Sequence, residues 1–300
     1  MRMTVTLQCS AATAAAADVA AGPCGLSLPE VPDLLERLRS EPVGGLSRLA
    51  ACLDAPSCSL LMQCAVMLGL GPPGGRRSTF EAAVEVFGPQ RTVDLFGVLT
   101  LVGQMQMLAN RRDGAGGPCT SWASFWSHSL NRARVLAWLA RRHGSEGPDL
   151  ALAFGLLCDS AVALMMLELQ TPSYRVTLAE ANLGHRPVTE VERGRHGTDH
   201  AEVAGRIAAG WGFDAGLARA VGHHHDDRAL TPQQDERVRT LVALGLVADR
   251  MTVRPAARHR QHVEWQRGGT MALHVLGMSA QDYEDWLDEV NLHSVLNGRG

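Results

Sequence analysis

The sequence predicts an all-α protein. Apolar residues recur at spacings of three and four through most of the chain, which is the period of an amphipathic helix. Strand signals are scarce: aromatics make up 5% of the residues, and alternating β-branched runs are short. Gly, Pro and N-cap residues divide the remainder into segments of helix length.

The bulk properties suit one large domain or two small ones. The chain has 300 residues, 46% hydrophobic and 20% charged, enough for a substantial core. A net charge of −3 makes no case for nucleic acid or an anionic membrane as main partner. All 28 basic residues are Arg; with the many Ala and Gly, this reads as a GC-rich bacterial genome. The seven cysteines (Cys9, Cys24, Cys52, Cys58, Cys64, Cys119 and Cys158) are scattered and form no CxxC. Reduced core thiols in the cytoplasm are the expectation. Residues 1–25 are Ala- and Thr-rich but lack a clean apolar stretch, so a disordered tail is expected rather than an export signal.

In order along the chain, Leu28-Pro29 and Val31-Pro32 give an extended lead-in, and Leu34, Leu35 and Leu38 share one helical face. Two more helices are expected at Leu46–Leu53 and Ser57–Leu70. The Gly71-Pro72-Pro73-Gly74-Gly75 loop lacks GK[ST] and a preceding strand, so it is read as a connector and not a phosphate cradle. Thr79 caps a helix to Phe87, and a longer one follows from Gln90 to Ala109. A Gly-rich loop, Asp113–Cys119, separates two helical lobes.

The second lobe opens with an amphipathic helix. Trp122, Phe125, Trp126, Ser129, Ala133, Leu136 and Ala140 form its apolar face, His128 lies on it, and Gly144 ends it. Residues 174–196 are polar and interrupted by glycine and proline, and read as a helix followed by a surface loop. Helices are expected at Asp199–Trp211, with Asp199 as N-cap and His200 in the first turn, and at Asp214–His225, which ends in three consecutive histidines. A helix from Pro232 to Met251 carries Asp249. One or two more helices (Met271–Leu276, Gln281–Val290) follow an Arg/His-rich connector.

The segment from Phe154 to Met166 organises the chain. It is almost wholly apolar, opened by Pro148-Asp149 and closed by Thr171-Pro172. It approaches the length that crosses a bilayer, but Asp159 sits near its centre, where a charge costs at least ~2.5 kcal/mol. A buried core helix is therefore expected. A buried carboxylate needs a metal ion, an arginine or several donors beside it.

Six residues could carry chemistry: His128, Asp159, His200, His224, His225 and Asp249. All fall on expected helices or at their ends. Imidazoles and carboxylates are ligands for Zn, Fe or Mn, and helices converging on one centre can build such a site. Two ions bridged by Asp159 could activate water for phosphoester hydrolysis. The plainer readings stand beside this one. Twelve histidines produce chance arrangements; His143, His196, His262 and His293 read as solvated or capping residues; the triple histidine suits a helix C-terminus; Asp249 can pair with Arg250 or Arg254.

These motifs, in this order, resemble the HDOD family, which is related to the HD-domain phosphohydrolases and HD-GYP cyclic-dinucleotide phosphodiesterases. The similarity runs from about Leu26 to Arg250. It rests on Leu28-Pro29-x-Val31-Pro32, Ala82–Gly88, Trp126-Ser127-His128-Ser129, Phe154–Asp159, Gly197–Ala204 with Trp211-Gly212, and Ala220–His225. There are departures. Cys158-Asp159 stands where the superfamily has His-Asp. Gly69–Pro73 replaces an expected Asn-Ser element. Asp226-Asp227-Arg228 follows the histidines where the related enzymes have Gly-Tyr-Pro. In active HD enzymes the missing His is a metal ligand, whereas Cys158 in an apolar run reads as a core thiol.

The resemblance implies an HDOD-like multi-helix fold with two lobes (about 26–112 and 120–250) and a C-terminal helical extension, 251–300. It implies a non-catalytic, cytoplasmic bacterial regulatory module acting through signalling proteins, in networks linked to cyclic dinucleotides, with a homodimer as one arrangement. No cofactor, nucleic acid or membrane partner is expected. The alternatives are a metal-dependent phosphohydrolase using Fe, Mn or Zn on the six residues, and a small-molecule sensor using the same cleft.

Overall fold

The computed structural model describes residues 26–40, 61, 63–65, 80–113, 122–169, 173–252 and 262–297. The described residues form thirteen α-helices and one 3-10 turn, with no strand. The N-terminal tail, the connector at 71–77 and the inter-lobe loop beyond Asp113 lie outside them. So do the expected helices at Leu46–Leu53 and Ser57–Leu70, apart from residues 61 and 63–65, which are helical.

Leu35 and Leu38 bury one face of α1 (Asp33–Ser40), as their spacing requires. Helices α2 (Phe80–Phe87) and α3 (Pro89–Asp113) follow, and α3 packs against both α1 and α2. It also packs on α5 (Pro148–Leu157) and α6 (Ser160–Glu168), so one apolar core runs from Leu26 to Val290. Trp211 donates from Nε1 to the Pro29 carbonyl at 2.9 Å, tying the Leu-Pro lead-in to the second lobe.

Helix α4 (Trp122–His143) lies along α5. The crossing is close because Gly155 has no side chain: a Cβ there would come within 2.7 Å of the Ala133 Cα. Gly144, at φ +78°, ends α4 in the left-handed conformation that suits glycine.

The apolar segment is two helices rather than one. It breaks at Cys158-Asp159, where Asp159 adopts φ −93°, ψ 3° as the N-cap residue of α6. Ser160 Oγ donates to the Leu157 carbonyl at 2.7 Å and so satisfies a group at the break. The physical reason is Asp159 itself. A continuous buried helix would hold its carboxylate in the core; the turn lets the side chain leave the apolar run, and it is 24% exposed. The stretch Pro148–Glu168 is long and apolar enough to cross a membrane, and most of it is buried inside the protein.

The polar segment also differs from the expectation of a helix and a loop. It holds α7 (Tyr174–Ala181) and α8 (Val188–His196), which ends at Gly197 with φ 72°. Both pack together. Val191 and Glu192 face inward. His196, read as solvated, is buried and bonds Thr177 Oγ1 at 2.8 Å.

Helices α9 (His200–Gly210) and α10 (Ala215–Gly222) are antiparallel neighbours. Their contact relies on two glycines, since a Cβ on Gly205 would lie 2.7 Å from the Gly222 Cα. This brings the start of α9 beside the end of α10. After the 3-10 turn (Asp227–Leu230), α11 (Glu236–Thr252) packs on α4, α10 and α12 (His262–Val275). The last helix, α13, is Ala280–Asn297. The extension is thus helical from His262, earlier than its apolar pattern indicates.

Candidate functional site

The site lies where α4, the α5–α6 break, the start of α9, the turn after α10 and the end of α11 meet. Asp159, His200, His224 and His225 converge, with one donor atom of each lying within 4.8 Å of every other. Nε2 of His200 lies 3.9 Å from Asp159 Oδ1, and Nε2 of His224 lies 4.0 Å from it. Nε2 of His225 is 3.1 Å from Nε2 of His200. Four of the six sequence-selected residues are thus brought together.

The other two lie differently. His128 is exposed on α4, outside this group. Asp249 is part of the same polar cluster, but it contacts a guanidinium rather than the imidazoles. Arg132, 2% exposed, pairs through Nε with Asp249 and donates from Nη2 to Asp249 Oδ2 at 3.1 Å. Its Nη1 donates to Asp159 Oδ2 at 3.1 Å. One buried arginine therefore contacts both carboxylates, in place of the surface pairing with Arg250 or Arg254. This partner is the one Asp159 requires.

Arg132 was legible. It lies three residues after Ser129 and one before Ala133, on the apolar face of α4. Gly245 beside it makes room for the Phe154 ring, which a Cβ there would approach to 2.9 Å. The thiol of Cys158 is fully buried next to the same guanidinium. Burial pushes its pKa up, more than Arg132 lowers it. It is a core thiol, not a thiolate ligand.

Each histidine is held through Nδ1. His200 bonds Glu192 Oε2 at 2.7 Å, and its backbone N–H donates to the same oxygen at 3.0 Å. Glu192, on α8, is fully buried and also accepts from the Tyr174 hydroxyl. His224 bonds the Val221 carbonyl at 2.7 Å. His225 pairs with Glu264 Oε2, on α12, at 2.9 Å. Asp199 caps α9 by accepting from the Glu202 N–H at 2.9 Å, as its position predicts. Glu192 and Glu264 were missed: one falls in a segment read as loop, the other beyond the recognised motifs.

The charges follow from these contacts. Burial raises the Asp159 pKa, but Arg132 and then His200 outweigh it, and the carboxyl lies below its usual range. Burial lifts that of Asp249, only partly offset by Arg132. Burial, then His225 and His200, hold His224 well below the ordinary histidine value, so it is neutral. Burial opposes the charge on His225, but Glu264 prevails and raises it to about 9. The triple histidine therefore gains its positive charge from a carboxylate on another helix.

This donor set fits one divalent ion. Three imidazoles present Nε2 around one carboxylate oxygen, and their Nδ1 atoms are fixed by acceptors, the arrangement that orients metal-bound histidine. Nε2 of His224 is buried and has no hydrogen-bond partner. It does not fit two ions bridged by Asp159, because Oδ2 and the Asp249 carboxylate are already bound to Arg132. An ion at the four residues would supply a Lewis-acidic centre. Shallow cavities flank the cluster; the one lined by Arg132, Asp159, Asp249, Glu264 and Trp265 has a volume of about 100 Å³.

Residues 75–227 match the family model of the HDOD domain. The chain belongs to the HDOD family. Among solved structures it is similar to an HDOD domain protein of unknown function from Geobacter sulfurreducens, with 19% identity over 90% of each chain and a TM-score of 0.56. It is also similar to a protein from Shewanella amazonensis SB2B whose name proposes a phosphohydrolase (18% identity, 88% of this chain and 90% of that one, TM-score 0.57). A third, from Marinobacter aquaeolei VT8, has a name that proposes a signal transduction protein (16% identity, TM-score 0.58), and the match covers 88% of this chain but 56% of that one. At these identities the likeness is one of fold. No curated protein matches the chain. The HDOD match ends before Asp249 and Glu264, so α11 and α12 complete the site from outside it.

Proposed function

We propose that this HDOD protein is a non-catalytic regulatory module of bacterial signal transduction, acting in the cytoplasm through protein partners. The observation that supports this reading is Arg132. A hydrolytic centre built on a bridging carboxylate needs both oxygens of Asp159 for ions and an open position for water. Here the guanidinium engages Oδ2 and also the Asp249 carboxylate. The fixed positive charge occupies carboxylate oxygens that a second cation would need, and unlike a metal ion it offers water no coordination site. The donors left over suit one divalent ion in a structural or sensing role. Buried Cys158, at the position of the superfamily's ligand His, points the same way.

A metal-dependent phosphohydrolase is the second reading. It is favoured by the four converged donors and by the unpartnered Nε2 of His224. Assays with bis(p-nitrophenyl) phosphate and p-nitrophenyl phosphate, after reconstitution with Mn²⁺, Fe²⁺ or Zn²⁺, separate the two. The regulatory reading expects no turnover above that of an Asp159→Asn variant. Turnover that Asp159→Asn abolishes would replace it with the enzyme reading. The small-molecule sensor using the same cleft is a third reading, seen as a ligand-induced rise in Tm.

A further inference from the structure

Helix α12 reaches into the cluster from outside the HDOD match and packs on α11 and the 3-10 turn. It buries Gly268, Gly269 and Ala272, which are small, while Trp265, Leu273 and Val275 are only partly buried. Gly268 is seated against Leu246, which a Cβ would approach to 2.9 Å. The Arg267–Glu190 pair, 2.7 Å, is exposed, and such pairs add little. The Arg250 guanidinium lies 6.0 Å from the Trp265 ring centroid. From this helix Glu264 enters the histidine cluster, at 2.9 Å to His225 Nδ1.

The same contact has a second consequence. With Nδ1 committed to Glu264, the imidazole of His225 turns Nε2 toward His200. Outer partners of this kind fix the orientation and tautomer of a ligating histidine, and losing one costs ~10–100-fold in metal affinity.

We infer that α12 is a cation-linked arm: Glu264 is a positioning residue for His225, so that a divalent ion at Asp159, His200, His224 and His225 and the docking of α12 on the domain reinforce each other. The inference rests on the single-ion reading of the cluster. Linkage makes the effect reciprocal, so whatever α12 gives to ion affinity, the ion returns to the docking of α12. The regulated output would be the presentation of the C-terminal segment, held more firmly with the ion than without it.

The test uses the full chain, purified without a His tag, with Zn²⁺ as the probe. Zn²⁺ affinity is measured by competition with a chromophoric chelator for wild type, Glu264→Ala and Glu264→Gln. Hydrogen exchange across residues 262–275 is followed with and without Zn²⁺. The expected result is a loss of affinity of about 10–100-fold in Glu264→Ala, with a smaller loss in Glu264→Gln, whose amide oxygen still accepts from Nδ1–H. Zn²⁺ slows exchange in 262–275 of wild type and not of Glu264→Ala. Unchanged affinity in Glu264→Ala, with one ion still bound, would overturn the arm and leave the cation site standing. A wild-type protein that binds no Zn²⁺ would overturn the cation site and the arm with it. Circular dichroism shows whether each variant keeps its helices. Gly268→Val, whose side chain would meet Leu246, loosens α12 without touching the cluster residues, and the linkage requires that it also lower Zn²⁺ affinity.

Discussion

Arg132 Nη1 donates to Asp159 Oδ2 at 3.1 Å from a side chain that is 2% exposed. The same guanidinium holds Asp249, so three charges share one wall of the cluster. Removing one member of such a group leaves the others buried without compensation. Arg132→Ala is expected to destabilise the fold by about 3 kcal/mol, the low end for a broken buried pair because both carboxylates keep some exposure. Urea unfolding measures it. The triple variant Arg132→Met, Asp159→Asn, Asp249→Asn removes all three charges and is expected to recover most of the loss. A single Arg132→Ala within 0.5 kcal/mol of wild type, the ordinary range for surface substitutions, would show that the group carries no weight.

Asp159→Ala tests the same pair from the other side. It leaves Arg132 with Asp249 alone and is expected to destabilise by about 2–3 kcal/mol. Asp159 and Arg132 are in direct contact, so the double variant Asp159→Ala, Arg132→Ala should lose less than the sum of the singles. An additive double-mutant cycle would contradict the contact.

The His225–Glu264 pair sets a pH dependence. The folded pKa of His225 is raised to about 9, above an unfolded value of about 6.5. Its contribution is therefore fully present below pH ~6.5 and is lost as pH rises through 9, on the order of 2 kcal/mol. His224 has its pKa lowered by burial, so its contribution is present above pH ~6.5 and is lost in acid. In metal-free buffer, Tm is expected to fall from pH 6.5 to 9.5 in wild type and to fall less in Glu264→Gln. Parallel curves would remove the pair as the cause.

Cys158 and Arg132 occupy neighbouring space. A histidine at 158 is larger than the thiol and would press on the guanidinium. Cys158→His alone is expected to be destabilising, with no gain in ion stoichiometry. Cys158→His with Arg132→Ala frees Asp159 Oδ2 and Asp249 and is expected to take up a second ion, measured by elemental analysis after reconstitution. A single variant that binds two ions would show that Arg132 does not block the second position.

Helix α4 and the α9 start were legible because their apolar residues keep helical spacing and Asp199 is a strong N-cap. The HDOD motifs located Asp159, His200, His224 and His225; the three histidines sit at helix ends that Asp199 and the triple histidine mark, whereas Asp159 stood inside an apolar run. Three parts were not read. The break at Cys158-Asp159 has no Gly or Pro to announce it; it follows from what a lone carboxylate requires of an apolar run. Helix α8 was hidden by Pro187, Gly194 and Gly197, which in fact bound or lie within it. Glu264 could not be placed, because α12 buries small residues and carries little apolar pattern, and its tie to His225 spans 39 positions. Arg132 was within reach, being the charged member of an otherwise buried face.

The most direct test of the account is the number of ions per chain. It is measured by elemental analysis on untagged protein, as purified and after reconstitution with Zn²⁺, Mn²⁺ and Fe²⁺. With Arg132 bound to Asp159 and Asp249, the count should not exceed one. Two ions per chain in the wild-type protein would mean that Arg132 yields its carboxylates to a second cation, and the centre would then be one built for hydrolysis.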